Sequence, residues 1–358
     1  MTGVGAWIRY GGPLEAQDVE EAARHYRAAI LQPWETAAAA RLKELAPHMT
    51  VLAYQCLSST RDFEPPERLA SGIAHAEAAR HGWHARRRDG SLIEWDGYPG
   101  HFQAAVWDPD YRRAWVERVR ERIAPTAFDG VMADNDVFDD YYGLGLPIEG
   151  ADDPAALRDS LGMLVDEAGA ALAGIGRILV PNIAEARREP GRWERHSAWG
   201  GGFDECWLGW GDDSFLDATA ALAQAHQLTA PGLTIVRAPS GGAGAPRALY
   251  GLAAFWVLGG GRGAFASTGH DDYSRLAWMP ALDADLGAPL GPPRHRGLLW
   301  RRDFERGVAI VNLDGARGAR PRLPAGLVAP GPRGGADGAP LPRRPLLGPR
   351  SGLIALRP

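Results

Sequence analysis

The chain has 358 residues, enough for one large domain with a smaller one beside it. Its 45% hydrophobic and 23% charged residues suit a folded globular protein. A formal net charge of -5 gives no case for nucleic acid or an anionic membrane as partner. The segment MTGVGAWIRYGG has neither a basic stretch nor a long apolar run, so no signal peptide is expected. The cytoplasm is the default location, and the chain would be secreted only if a leader had been trimmed. Other apolar stretches are broken by charge or Gly within about ten residues, too short to span a bilayer.

Strand-like and helix-like segments alternate regularly, which predicts βαβ units and a parallel sheet. Strand one is Ala6 to Tyr10, closed by Gly11-Gly12-Pro13, with a helix from about Asp18. Strand two, Ala28 to Gln32, leads through Pro33-Trp34-Glu35 into an Ala-rich helix, Thr36 to Leu45. Strand three is Thr50 to Cys56, followed by a loop and a helix over Pro66 to Gly82. A long excursion follows, HARRRDGSLIEWDGYPGHFQAAVWD, with a tight turn predicted at Asp89-Gly90. Insertions of that length are often functional. Next come an Asp-Pro helix start, apolar positions every three or four residues, and FDGVMADND, where strand four runs from Gly130 to Ala133 into Asp134 and Asp136.

Strand five is Arg177 to Asn182, strand six Phe203 to Trp210, strand seven Leu233 to Ala238 and strand eight Gly263 to Thr268. Eight such repeats predict a (β/α)8 TIM barrel over residues 1–283; a doubly wound sheet is the competing α/β arrangement. From Ala284 to Pro358 Pro, Gly and Arg dominate and the rhythm stops. Short strands at Gly297–Arg301, Val308–Asn312 and Gly352–Leu356 predict a small C-terminal antiparallel β domain over 284–358.

Parallel barrel strands bring their carboxyl ends to one mouth, and the residues placed there are acidic, aromatic and amide-rich. Sugar sites have this character: aromatic faces stack on pyranose rings, polar side chains bind hydroxyls, and two carboxyls perform the chemistry. The chain carries 13 Trp against 9 Phe and 9 Tyr, an excess that suits such walls, though core packing accounts for part of it. Asp134 is the first catalytic candidate, because period-two alternation puts Met132, Asp134 and Asp136 on one face. Its plainer use would be to cap the next element or to pair with an Arg. Asp139 and Asp140 read as solvated loop acids. Glu205 in GGFDECWLGW is the second candidate, about opposite strand four, although it comes early in its predicted strand. Asp204, then Asp271 and Asp272, are the fallbacks. Substrate contacts are expected from Trp34, Tyr54, Trp95, Asp136, Asn182, Trp207, Arg237 and His270.

Other chemistries fit less well. Cys56 and Cys206, the only cysteines, cannot build a disulfide framework or a cysteine zinc site, and buried inert thiols are the simpler reading. Lys43 is the only lysine and falls on a helix, which excludes a Schiff-base aldolase. Gly259 to Ala264 matches GxGxxA but follows a helix and precedes a strand, the reverse of a dinucleotide site. His295-Arg296-Gly297 falls outside the barrel, no His-x-His pair ends a strand, and Asp134 with Asp136 is a weak metal signal. No metal and no cofactor are therefore expected. The Gly241–Gly244 loop after strand seven could cradle a phosphate, which would make the chain a phosphosugar isomerase or lyase; a plain Gly-rich loop before the helix start at Pro246 is the simpler account.

DPDYRRAWVERVRERIAPTAFDGVMADND resembles the strand-four signature of glycoside-hydrolase-like barrels, most closely bacterial proteins called hypothetical glycosyl hydrolases of family fifteen. More distantly it is similar to α-galactosidase-type and polygalactosaminidase-type barrels. VPNIAE at Val180 to Glu185 and GGFDECW at Gly201 to Trp207 look like the group's strand-five and strand-six segments. RDFERGVAIVN resembles the start of the β domain that follows such barrels. The resemblance implies an O-glycoside hydrolase with Asp134 as nucleophile or base and Glu205 as its partner. Its ligand would be a glycoside or an oligo- or polysaccharide. A barrel that binds glycans without catalysis is the alternative, and the oligomeric state stays open.

Overall fold

The computed structural model describes residues 3–136, 140–211, 214–228, 232–239, 246–269, 273–274 and 276–358. Eight parallel strands form the central sheet: β1 Gly5–Ile8, β2 Tyr26–Leu31, β3 Thr50–Cys56, β4 Gly130–Asp134, β5 Ile178–Pro181, β6 Gly201–Asp204, β7 Leu233–Pro239 and β8 Ala264–Thr268. Their order is β5-β4-β3-β2-β1-β8-β7-β6. The ring closes between β5 and β6 through two parallel bridges, Leu179 to Gly200 and Asn182 to Phe203. A closed barrel, and not the doubly wound sheet, is the result.

The helices are α1 Ala16–His25, α2 Thr36–Leu45, α3 His75–His81, α4 Pro109–Ile123, α5 Pro154–Ala173, α6 Arg192–His196, α7 Ala218–Gln227 and α8 Pro246–Gly259. Helix α4 shows why the sequence folds this way. The Asp108 carboxylate caps its first turn by accepting from the Asp110 amide, and Pro109 occupies the first helical position. Tyr111, Trp115, Val119 and Ile123, four residues apart, bury one stripe. The Tyr111 hydroxyl and Trp115 Nε1 donate to the Leu57 and Cys56 carbonyls, which fixes the helix on the end of β3.

Two predicted elements come out differently. The helix expected over 66–82 is limited to α3, since the preceding segment is irregular and Gly72 takes φ of 78°. There the Trp115 indole would meet any Cβ at 2.4 Å. Strand six begins at Gly201 and ends at Asp204, not over 203–210. Its ladder starts where Gly200 and Gly201 take φ of 137° and 158°, and a turn with Leu208 at φ 65° follows it. The excursion contributes His101–Gln103 to a two-stranded antiparallel sheet with Ser59–Arg61 of the loop after β3, and Gly90 occupies its predicted turn at φ 83°.

The C-terminal segment forms a four-stranded antiparallel sheet, β9 Arg294–Arg296, β10 Leu299–Phe304, β11 Gly307–Asn312 and β12 Ser351–Leu356, in that order. His295-Arg296-Gly297 is therefore a hairpin with Gly297 at φ 59°. The sheet packs on α8, and one apolar cluster includes Ala253, Phe255 and Trp256 of the helix with Phe304, Val311 and Ile354 of the sheet. No helix among the described residues is long and apolar enough to cross a membrane.

Candidate active site

The carboxyl ends of β1 to β4, the strand-six turn and the excursion after β3 surround a cleft of about 810 Å³. Register builds its floor. Tyr54 of β3 pairs with Met132 and Cys56 with Asp134, so Tyr54 and Asp134 stand on one face one diagonal step apart. The Tyr54 hydroxyl donates to Asp134 Oδ2 at 2.7 Å and accepts from Arg61 Nη2 at 2.9 Å. Arg61 also pairs with Glu64 at 2.9 Å.

Because β6 stops at Asp204, Glu205 sits in the turn at the strand's carboxyl end, at the mouth and not in the middle of the barrel. Asn182, brought alongside by closure of the ring, donates from one nitrogen to both acids: Nδ2 lies 2.8 Å from Asp134 Oδ1 and 2.7 Å from Glu205 Oε2. The two acceptor oxygens are thus within about 5.5 Å of each other. Tyr273 donates to Glu205 Oε1 at 2.5 Å. Burial first, and the Asp134 charge second, push the Glu205 carboxyl above its usual range, against the opposing pull of the Tyr273 and Asn182 hydrogen bonds.

Tyr10 completes the floor. Its ring meets Tyr54 edge-on at 5.2 Å and Tyr273 at 4.8 Å, and its hydroxyl is buried without a protein partner. The Asn182 Oδ1 is likewise unpaired. Trp95 stacks on Tyr142 at 3.7 Å and 3°, with its Nε1 donating to Gln103, and Trp34 lines the same cleft. The Tyr142 hydroxyl donates to Asn135, which holds φ of 66° directly after Asp134.

Of the residues singled out by sequence, Asp134, Glu205, Tyr54, Asn182, Trp34 and Trp95 come together here. Asp136, Trp207 and Arg237 do not reach the cleft wall. Asp136 is fully buried, with Arg192 on Oδ1 at 2.7 Å and His196 on Oδ2 at 2.5 Å. Those partners hold its carboxyl down at about 2 despite burial. Trp207 packs in the cluster around α8, and Arg237 lies beneath Tyr273, donating to the Thr268 hydroxyl and to the Thr268 and Trp210 carbonyls. His270, Asp271 and Asp272 lie outside the described residues, as does the Gly241–Gly244 loop. The fallback Asp204 faces away, its carboxylate bound by Gln224 and by the Cys206 amide. Lys43 pairs with Asp129 at 3.0 Å, below β4. Among the described residues no group of three or more His, Cys, Asp or Glu could hold a metal ion.

Sequence reasoning missed Arg61, Tyr142 and Tyr273, and left Tyr10 without a role. Arg61 lies in the loop directly after β3, ahead of the long excursion, so the excursion's length did not signal it. Nothing in the local pattern signalled the others. The Trp excess belongs mainly to the core, where Trp7, Trp115, Trp193 and Trp207 are fully buried, and tyrosines form more of the cleft.

A closed ring of eight parallel strands with an acidic, tyrosine-walled cleft at its carboxyl mouth defines a TIM-barrel enzyme of the glycoside hydrolase class. The chain belongs to hypothetical glycosyl hydrolase family 15, whose model matches residues 43–308. It is a glycoside hydrolase by that membership. Solved structures with the same fold include the noncanonic maltogenic α-amylase AmyB from Thermotoga neapolitana, with a TM-score of 0.55, 9% identity and 99% of each chain covered. Another is the α-glucosyl transfer enzyme XgtA, with a TM-score of 0.51, 15% identity, and 100% of this chain and 98% of that one covered. The galactosamine complex of Aspergillus fumigatus Ega3 gives 0.44 at 12% identity over 75% of this chain and 92% of that one. At such identities the likeness is one of fold. The curated proteins contain no match.

Proposed function

We propose that the enzyme hydrolyses an O-glycosidic bond with retention of anomeric configuration, using Asp134 as nucleophile and Glu205 as acid and then base. The observation that carries this reading is the single Asn182 nitrogen bonded to both acids, which keeps one oxygen of each within about 5.5 Å of the other. Retaining glycosidases hold their carboxyls about 5–5.5 Å apart, and inverting ones about 6.5–9.5 Å, to leave room for water.

The roles follow from the surroundings. Glu205, whose neutral form is favoured by burial and by the neighbouring charge, gives its proton to the leaving oxygen while Asp134 attacks the anomeric carbon. Tyr54 and Asn182 hold the Asp134 oxygens in place for that attack. Forming the covalent glycosyl ester removes the Asp134 charge, so Glu205 becomes a stronger acid and then a competent base toward water. Trp34 and Trp95 form part of the wall that the sugar packs against.

The test is a panel of 4-nitrophenyl hexosides and hexosaminides with D134A and E205Q. Each variant should lose turnover by about 10³-fold or more, in line with the loss of a principal catalytic group. Azide should restore D134A as a glycosyl azide of inverted anomer and E205Q as one of retained anomer. Turnover by D134A above a tenth of the unsubstituted enzyme, or the same azide anomer from both variants, would refute the assignment.

A further inference from the structure

Among the described residues only three of the large aromatic side chains are strongly exposed: Phe63 at 59%, Tyr98 at 39% and Tyr141 at 60%. Phe63 and Tyr98 line the same cleft and Tyr141 packs on Tyr142 of its wall, although solitary exposed aromatics usually scatter over a surface. They are joined into an arc. Phe63 meets His101 at 5.3 Å, His101 meets Tyr98 at 5.7 Å, and Tyr98 meets Tyr142 at 5.6 Å. Tyr142 meets Tyr141 at 4.9 Å, and Tyr141 lies nearly parallel to Trp210 at 6.3 Å and 16°.

The arc begins on the loop after β3 and ends in the turn after β6, three strands further round the ring. Its middle member, Tyr98, lines the cleft together with Asp134 and Glu205. The aromatic rim therefore runs from the loop after β3, the strand beside that of Asp134, to the turn that carries Glu205. Phe63 is also fixed in place: a Cβ on Gly100, at φ 77°, would lie 2.8 Å from its ring, so the backbone supports that ring. A platform held in this way loses little entropy on binding. An exposed Phe gains nothing from water, whereas the apolar face of a pyranose would cover it.

From this arc, and building on the hydrolase reading above, we infer that the substrate is a polysaccharide chain that lies across the mouth and is cleaved internally, with sugar subsites on both sides of the carboxyl pair. A terminal-residue enzyme needs a pocket closed on one side; an extended rim of ring faces serves a continuous chain.

The experiment has a turnover arm and a binding arm. In the first, soluble starch, carboxymethyl cellulose, chitosan and polygalacturonate are incubated with the full chain and with F63A and Y141A, beside 4-nitrophenyl glycosides of the same sugars. An accepted polymer should lose viscosity early and yield mid-length oligosaccharides. Each variant should lose at least tenfold more kcat/KM on the polymer than on the aryl glycoside. In the second arm, E205Q should be retarded in native gels containing that polymer, and E205Q/F63A should not. Release of only mono- or disaccharides from chain ends, or equal losses on both substrate types, would overturn the inference. Cleavage of aryl glycosides with no polymer retardation would overturn it too while leaving the hydrolase reading intact. Polymer retardation that depends on Phe63, with no turnover of any substrate, would uphold the track and refute the hydrolase reading.

Discussion

At the scale of single residues, the proposed chemistry turns on the environment of Glu205. Burial and the Asp134 charge both favour its neutral form, so it titrates above the usual carboxylate range. The sign for activity follows directly. A general acid works while protonated, so kcat/KM should fall as pH rises through this raised value, and the alkaline limb should lie above that of an ordinary carboxylate. Substituting D134N removes one of the two causes and should move the Glu205 titration toward acid. Carboxyl-band infrared titration of D134N against the unsubstituted protein measures that shift. An unmoved titration would mean that Asp134 does not act on Glu205. Asp136, two residues beyond Asp134, shows how much neighbours decide. The same residue type is held down at about 2 because Arg192 and His196 face it in a dry interior. From the sequence Asp134 and Asp136 are equivalent alternate positions on one strand end. The partners that separate them come from α6, some sixty residues away, where no local pattern points back to strand four.

At the scale of elements, the sequence revealed most where one segment determines its own form. Apolar runs ending in turn signals located seven of the eight barrel strands and met the sixth only at Phe203 and Asp204, and the Asp-Pro start with four-residue spacing located α4. It revealed least where two segments must meet. Glu205 seemed too early in its strand because Gly200 and Gly201 look like loop residues, yet β6 starts at Gly201 and Glu205 falls just past its end. The Asn182 bridge exists only once β5 and β6 close the ring. Gly130, inside FDGVMADND, shows a strand glycine with a packing reason. A Cβ there would stand 2.1 Å from the Ile178 carbonyl oxygen, so β4 and β5 approach only because position 130 has no side chain. G130A must push the two strands apart at the base of the strand that carries Asp134. The expected cost is about 1–3 kcal/mol, the range for overpacked interiors, seen as a lower denaturant midpoint with an unchanged slope. A midpoint equal to that of the unsubstituted protein would show that the approach is looser than the geometry requires.

At the scale of the whole molecule, the barrel and the C-terminal sheet share an interior. Trp256 of α8 meets Phe304 of β10 edge-on at 5.4 Å, and the apolar cluster continues from barrel residues such as Val236 and Phe265 to Ile354 and Leu356 of β12. The change in composition near Ala284 marks where the βα rhythm ends, but the packing does not pause there: Ala284 and Leu286 belong to the same cluster. Gly352 brings the two parts closest. A Cβ at that position would lie 2.3 Å from the Leu249 carbonyl oxygen and 2.4 Å from the Ala253 side chain, so β12 lies directly on the backbone of α8. Parts joined through a common core lose their apolar contacts together, which predicts one cooperative unfolding transition for the full chain. Tryptophan fluorescence samples mainly the barrel and far-UV circular dichroism samples both parts, and the two curves should coincide in denaturant. G352A, which wedges the joint open, should lower both midpoints together, by about 1–3 kcal/mol. Two separated transitions, or a G352A effect confined to one probe, would show instead that the sheet is an independent unit resting on the barrel.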